Sequence, residues 1–196
     1  EVVMGINAFA RGMRSVNPKA EVKVVWVNSW YDPGREREAA DTLISQGADV
    51  VTHHTDSTAA VQAAEAKKVY AVAYHSDMSK YGPNAHLTAV THNWGEYYTR
   101  TAQAALDGKW KVEQPWMGIK ENVIRMAPFS KAVPQDVQDL VKKTEADIKA
   151  GKFHPFTGPI KDNEGKERVA AGKTIDDATR NKMDYYGEGV EGELPE

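Results

Sequence analysis

The sequence predicts an α/β fold built on a parallel sheet, and three observations carry that reading. Short runs rich in Val and Ala alternate with segments of helical period as β-α-β-α-β, at a spacing that only helical crossovers between parallel strands satisfy. The stretch GADVVTHHTDS then shows the repeating unit in full: Gly47 closes a helical pattern, residues 49–53 read as an apolar strand, and Asp56 and Ser57 open the next helix. The following strand, residues 69–74, repeats the layout, so two neighbouring strand ends carry one kind of triplet, His54-Thr55-Asp56 and His75-Ser76-Asp77. In open α/β sheets, ligands sit at the carboxyl ends of the strands, where these triplets fall.

In chain order, Val3, Ile6, Phe9, Ala10 and Met13 form an apolar stripe at helical spacing with no Ser, Thr, Asp or Asn cap before it. Such a start is expected inside a longer protein. Asn17-Pro18 marks a turn, and VKVVWV, residues 22–27, reads as a strand buried on both faces. Asp32 and Pro33 supply an N-cap and a first helical residue for a helix running to about Gln46, with Ala39, Ala40, Leu43 and Ile44 on its apolar face. Helix 57–66 and strand 69–74 follow, then a short strand at 87–91 and a helix at 94–106 that ends at Gly108. Beyond Trp110 the texture changes. A strand at 122–127, a helix from Val133-Pro134 to Gly151, a Gly/Pro-rich charged stretch at 153–173 with a turn at Asn163-Glu164-Gly165, a helix at 175–185 and an acidic tail complete the chain. A boundary is expected near residues 109–115, dividing 1–110 from 111–196.

With 196 residues, 41% hydrophobic and 27% charged, the chain is long enough to bury a real core. A formal charge of -3 gives no basic face for nucleic acid, so none is expected as a partner. The absence of cysteine excludes disulfides, thiolate metal sites and thiol catalysis. No apolar run approaches the ~20 residues of a membrane-spanning helix.

Three motifs compete for chemistry. Residues 187–192, GEGVEG, match the dinucleotide fingerprint letter for letter but lack the strand before and the helix after that would hold a pyrophosphate, so they are expected to be a flexible tail and no cofactor is expected. The His-x-Asp corners, with His92 at a third strand end, suit a metal or a dinuclear hydrolase site. No pair stands at i, i+4 spacing, however, and no general base stands out. Asp56 and Asp77 can also each simply cap the helix that follows. The third reading takes in Trp30 and Trp94, each just past a strand end: two indoles beside two carboxylates form a slot for a flat ring with amino or ring N–H donors, and they repel an anion. Stacking contributes roughly 1–3 kcal/mol per base and a hydrogen bond to a carboxylate roughly 1.5–3 kcal/mol, enough for micromolar binding after ordering costs.

These residues also carry a family resemblance. INAFARGMRSVNP, VVWVNSWYDP, GADVVTHHTDS, AYHSDM followed by YGP, NWGEYY, FTGPIKDNEGK and the closing GEGVEG resemble, in order and spacing over nearly the whole chain, the basic membrane lipoprotein family. These are substrate-binding proteins of ABC importers, similar to the purine-nucleoside receptor group. The resemblance implies a periplasmic-binding-protein-like α/β fold with two Rossmann-like lobes about a hinge, of which residues 1–110 are the second lobe and 111–196 a carboxyl-terminal wrap crossing back toward a first lobe that is mostly missing. It implies no enzyme activity, a purine base or nucleoside ligand held by hinge closure, and a membrane permease as partner. The expected location is periplasmic, or membrane-anchored on the outer face of the inner membrane. Asp77 falls where the family places a ligand-binding aspartate. The Asp56-Ser57 corner replaces glycines of nucleoside-binding members, and Asn93-Trp94 replaces their lysine near the sugar. Both departures favour a free base such as adenine. The expected ligand-binding residues are Trp30, His54, Asp56, Ser57, Asp77 and Trp94; a metal-dependent hydrolase and a cytoplasmic ligand sensor on the same fold are the alternatives.

Overall fold

The computed structural model describes residues 1–195. Its centre is a four-stranded sheet in the order β1-β2-β3-β4, formed by Val50–Thr52, Tyr70–His75, His86–His92 and Ile124–Met126. The first three strands are parallel, with Val51 opposite Ala71 and Ala73 opposite Ala89, and β4 is antiparallel to β3 through Thr91 and Arg125. The parallel reading therefore holds for three strands. The fourth comes from beyond residue 110, so the expected boundary falls between strands of one sheet.

The helices bear out the sequence periodicity, with ends within about two residues of expectation, except that the helix expected at 175–185 is a single turn. They are α1 (Val2–Val16), α2 (Pro33–Ser45), α3 (Ala59–Lys67), α4 (Gly95–Leu106), α5 (Gln135–Lys149) and a short α6 (Asp177–Arg180). As expected, α1 has no side-chain cap, and Asp32 caps α2 by accepting from the Arg35 amide. A two-stranded ribbon, β5 (Ile160–Lys161) and β6 (Glu167–Val169), flanks the turn at Asn163–Gly165.

Alanine sets how closely α3 lies on the sheet. Five of its nine residues are buried, all small or β-branched. Val61 and Ala64 join Ala71, Ala73, Met78, Ala85, Ala89 and Ala127 in one cluster, while Ala60 and Ala63 join Ala40 and Val51 in another. The loop leaving β2 lies directly on α3: a Cβ at Gly82 would stand 2.8 Å from Val61 Cγ1. Glu65 of α3 then receives the amides of Asn84 and Ala85, which sets the start of β3.

Two expectations are corrected. Residues 22–27 form no strand; their one bridge joins Val22 to Val190, in parallel. Val22 and Val24 pack toward Tyr186 and Val190, while Val25 is 41% exposed, so the segment is not buried on both faces. An apolar run says that a strand can form but does not name its partner, and here the neighbour is the tail rather than β1. The tail itself is not loose. The Val22 amide donates to the Gly189 carbonyl at 2.8 Å, the Glu191 amide donates to the Val22 carbonyl at 2.8 Å, and Val190 is buried. The buried Asn7 of α1 accepts from the Gly187 amide at 2.7 Å and donates to the Tyr185 carbonyl at 2.8 Å. Residues from 155 onward thus pack on α1, with Phe156, Ile160 and Val169 in one cluster and Tyr186 and Val190 in another. Among the described residues, no helix is long and apolar enough to cross a membrane.

Candidate functional site

The carboxyl ends of β1, β2 and β3 bring together side chains that lie far apart in sequence. At the first corner, the chain leaves β1 through His53 and His54 and enters α3. Thr55 Oγ1 and Ser57 Oγ donate to one carboxylate oxygen of Glu36, at 2.7 and 2.6 Å, and the Asp32 amide donates to the other at 3.0 Å. Burial works to raise the Glu36 pKa, but the hydrogen bonds from Ser57, Thr55 and Asp32 outweigh it and hold the carboxyl below its ordinary value. The Asp56 amide donates to the Trp30 carbonyl at 2.8 Å, which ties the Trp30 loop to this corner.

At the second corner, His75 takes a φ of 70°, a left-handed conformation uncommon for a residue with a side chain. That turn breaks the alternation of the strand, and Tyr74 and His75 lie side by side with ring centroids 3.8 Å apart. The third corner follows β3: His92 ends the strand, the Asn93 amide donates to the Val123 carbonyl at 2.7 Å, and Trp94 stands at the N-cap of α4.

The rings form one continuous row along this edge. From Trp30 the centroid steps are 6.1 Å to His54, 4.2 Å to Tyr74, 3.8 Å to His75, 5.0 Å to His92 and 6.4 Å to Trp94, with Tyr98 stacked on Trp94 at 5.9 Å. Trp30 at 55% and Trp94 at 40% exposure leave the two ends of the row open. One carboxylate stands beside it: Asp56 Oδ1 lies 2.9 Å from His75 Nε2, and His75 Nδ1 lies 3.2 Å from His92 Nδ1. Burial pushes the pKa values of His53, His54 and His92 down, so these imidazoles tend toward their neutral forms. Burial pushes the Tyr74 phenol up.

Four of the six expected residues, Trp30, His54, Asp56 and Trp94, thus meet on one edge. The other two are placed differently. Ser57 is buried with its hydroxyl donated to Glu36, and it also accepts from the Ala59 amide at 3.2 Å. Asp77 accepts from the Ser79 amide at 2.9 Å, which lowers its pKa, and lies 3.8 Å from the buried His86 Nε2. Glu36, Tyr74, His75 and His92 belong to the edge or support it and were not among the expected ligand residues. The signal for Glu36 was its place four residues after the capping Asp32, a variant of the reciprocal capping pattern. Tyr74 was readable only as a strand-end position and His75 and His92 only as candidate metal ligands, because the turn that brings the Tyr74 and His75 rings together leaves no mark in the sequence. No group of three His, Asp or Glu among the described residues is arranged to hold a metal ion.

The chain matches a known family. Residues 1–155 match the family model described as ABC transporter substrate-binding protein PnrA-like. Over all of its length the chain is 51% identical to a purine-binding protein of Brucella abortus, covering 56% of that protein. It is 36% identical to a Haloferax volcanii protein named as an ABC transporter glucose-binding protein, covering 47% of it. The chain therefore spans about half the length of these relatives, 56% and 47%. Among solved structures, an ABC transporter solute-binding protein from Conexibacter woesei superposes with a TM-score of 0.60 at 20% identity, over 76% of this chain and 52% of that one. Family membership sets the hydrolase alternative aside, since the family binds substrates for transport and is not a family of enzymes. The match over residues 1–155, the identity to the Brucella protein and the shared α/β architecture lead to one assignment: the chain belongs to the PnrA-like family of ABC transporter substrate-binding proteins.

Proposed function

We propose that this chain contributes one wall of a purine-binding cleft, and that the free base, adenine above the nucleoside, is the preferred ligand. The observation that carries the reading is the unbroken row of rings from Trp30 to Trp94 with the Asp56 carboxylate beside it. A flat heteroaromatic ring gains stacking or edge contact from such a row, roughly 1–3 kcal/mol per base, and the carboxylate takes a ring N–H or amino hydrogen. The name of the Brucella relative supports a purine, and that relative matches along the whole of this chain. The bulk of Asp56 and Trp94 at two strand ends supports a base without its sugar.

In this reading, residues 1–110 are the second lobe of a two-lobed protein and 111–196 are its carboxyl-terminal wrap. Trp30, His54, Asp56 and Trp94 face the ligand, while Ser57 and Asp77 act through the corners they brace. The first lobe closes over the ligand by a hinge motion, and the closed form is presented to a membrane permease from the extracytoplasmic side. No bond is made or broken.

Titration calorimetry with adenine and adenosine tests this. It is run on this chain and on a chimera extended by the additional residues of the Brucella relative. This chain alone should bind adenine weakly, because one wall covers one face of the ring, and the chimera should bind it far more tightly. Trp94→Lys in the chimera should shift preference from base toward nucleoside. Equal affinity of the chain and the chimera would overturn the two-lobe account. An unchanged base-to-nucleoside preference would remove Trp94 as the selector.

A further inference from the structure

The ring row carries at its centre a hydroxyl that the fold does not use. Tyr74 is the penultimate residue of β2, and its ring centroid lies 4.2 Å from His54, 3.8 Å from His75 and 5.6 Å from His92. Three imidazoles thus pack around a half-buried phenol ring. The hydroxyls of Thr55 and Ser57 are donated to Glu36, and that of Thr91 to the Arg125 carbonyl. The Tyr74 hydroxyl makes no hydrogen bond among the described residues. Nor is it one of the sealed, unpartnered atoms there, which are Asp41 Oδ1, His53 Nε2, His86 Nε2 and Arg180 Nε. It is therefore open to solvent. Burial, and after it the charges of Glu1 and Asp56, push the phenol above its ordinary value, so it keeps its hydrogen at neutral pH. Which nitrogen of each flanking imidazole carries a hydrogen depends on the tautomer, whereas a phenol always has one to give.

We propose that the Tyr74 hydroxyl binds the ligand by donating to a ring-nitrogen lone pair, so that the edge selects flat rings with an amino group beside an unprotonated ring nitrogen. This deepens the purine reading and rests on it. In that reading Asp56 takes the amino hydrogen, and its charge is felt at Tyr74. The two groups then serve one edge of the ligand from neighbouring strand ends. Adenine presents such an edge twice, since its amino group stands between N1 and N7. A ring with C–H in place of that nitrogen fills the same space but leaves the hydroxyl without a partner. A site built to hydrogen-bond its ligand rejects an analogue that lacks the matching group, because its own polar atom is then covered and unpaired.

The test is a cycle of variant against ligand, run on the whole chain labelled with ¹⁵N and read from the Trp30 and Trp94 indole resonances. Adenine, 1-deazaadenine and 7-deazaadenine are each titrated to millimolar concentration against the native chain and Tyr74→Phe. The native chain should bind one of the two deaza compounds about threefold to tenfold more weakly than adenine. Tyr74→Phe should bind adenine more weakly by a similar factor, and should bind that deaza compound as well as it binds adenine. Tyr70→Phe, at the opposite end of β2, should change neither affinity.

Adenine bound equally by the native chain and Tyr74→Phe overturns the proposal and leaves the purine reading intact. So does a deaza penalty that is absent from the native chain, or one that survives in Tyr74→Phe. Adenine that moves neither indole resonance removes the purine reading, and this proposal with it. Thermal unfolding without ligand gives an independent check. Tyr74→Phe should melt with the native chain, since the hydroxyl has no partner inside the fold, and a clear fall in its Tm would mean that the hydroxyl is bonded internally and overturn the assignment.

Discussion

The two His-x-Asp corners have the same letters and different tasks. After His54-Thr55-Asp56 the chain runs straight into α3, so Thr55 and Ser57 turn inward to Glu36 while Asp56 stays at the edge and meets His75. After His75-Ser76-Asp77 the chain must travel back the length of β2 to begin β3, because the two strands are parallel. Asp77 is used in that reversal, holding the Ser79 amide at the start of a 3-10 turn. A repeated triplet is therefore not a repeated site. Where the chain goes next decides whether a carboxylate faces the open edge or its own backbone.

The largest break in this comparison comes from Glu36, which anchors the first corner and has no counterpart in the second. Glu36→Ala should cost about 2–3 kcal/mol in denaturant unfolding, because a buried hydroxyl, a half-buried one and an amide lose a charged acceptor. A cost near zero would mean that the corner holds itself. Asp77→Ala comes next, at about 0.5–1.5 kcal/mol, the worth of one hydrogen bond to a turn amide. Asp56→Ala should cost less than about 1 kcal/mol, since the Asp56 and His75 side chains are 47% and 35% exposed and the pair is largely solvated. The order reverses for the ligand: Asp56→Ala should weaken adenine binding more than Asp77→Ala does, and calorimetry giving the opposite order would move the site to the second corner.

The gentlest probe is pH. His53 and His54 have folded pKa values depressed by burial, so the unfolded chain binds their protons more readily than the folded chain does. Their contribution to stability is whole above the unfolded value of about 6.5 and is lost as pH falls below it toward the depressed folded values. The buried His86 beneath the second corner is also depressed, but the Asp77 charge opposes the shift. Thermal unfolding followed between pH 8 and pH 5 should therefore fall on acidification, and His53→Gln with His54→Phe should flatten that fall more than Asp77→Asn changes it.

Much of the fold was legible because its signals are local. Asp32-Pro33 starts α2, Gly47 (φ 98°) follows its end, and the alanines of α3 say that it must lie close to a sheet. The strand-end rule likewise located the edge that gathers Trp30, His54, Asp56 and Trp94. What was not legible depends on partners distant in sequence or on single backbone angles. Residues 22–27 look like a core strand, yet their hydrogen bonds go to residues 189 and 191. Gly189 matches a phosphate-binding fingerprint, but it lacks a side chain because a Cβ there would stand 2.4 Å from Arg14 Cδ. Asp77 fits a family position, while the left-handed turn at His75 that sends the chain backward has no letter of its own.

The clasp between Asn7 and Gly187 has a consequence for synthesis. The two residues are 180 positions apart, and the apolar stripe of α1 has its buried partners almost entirely beyond residue 155. At the usual speed of translation, about 5–20 residues per second, that stripe waits roughly 9–36 s for its cover. During that interval the β1–β3 unit can already close, since its contacts are local, while α1 emerges before that unit and is buried after it. Nascent chains halted before residue 155 should therefore expose Val3, Ile6 and Ala10 to a holding chaperone, and chains released past residue 190 should not.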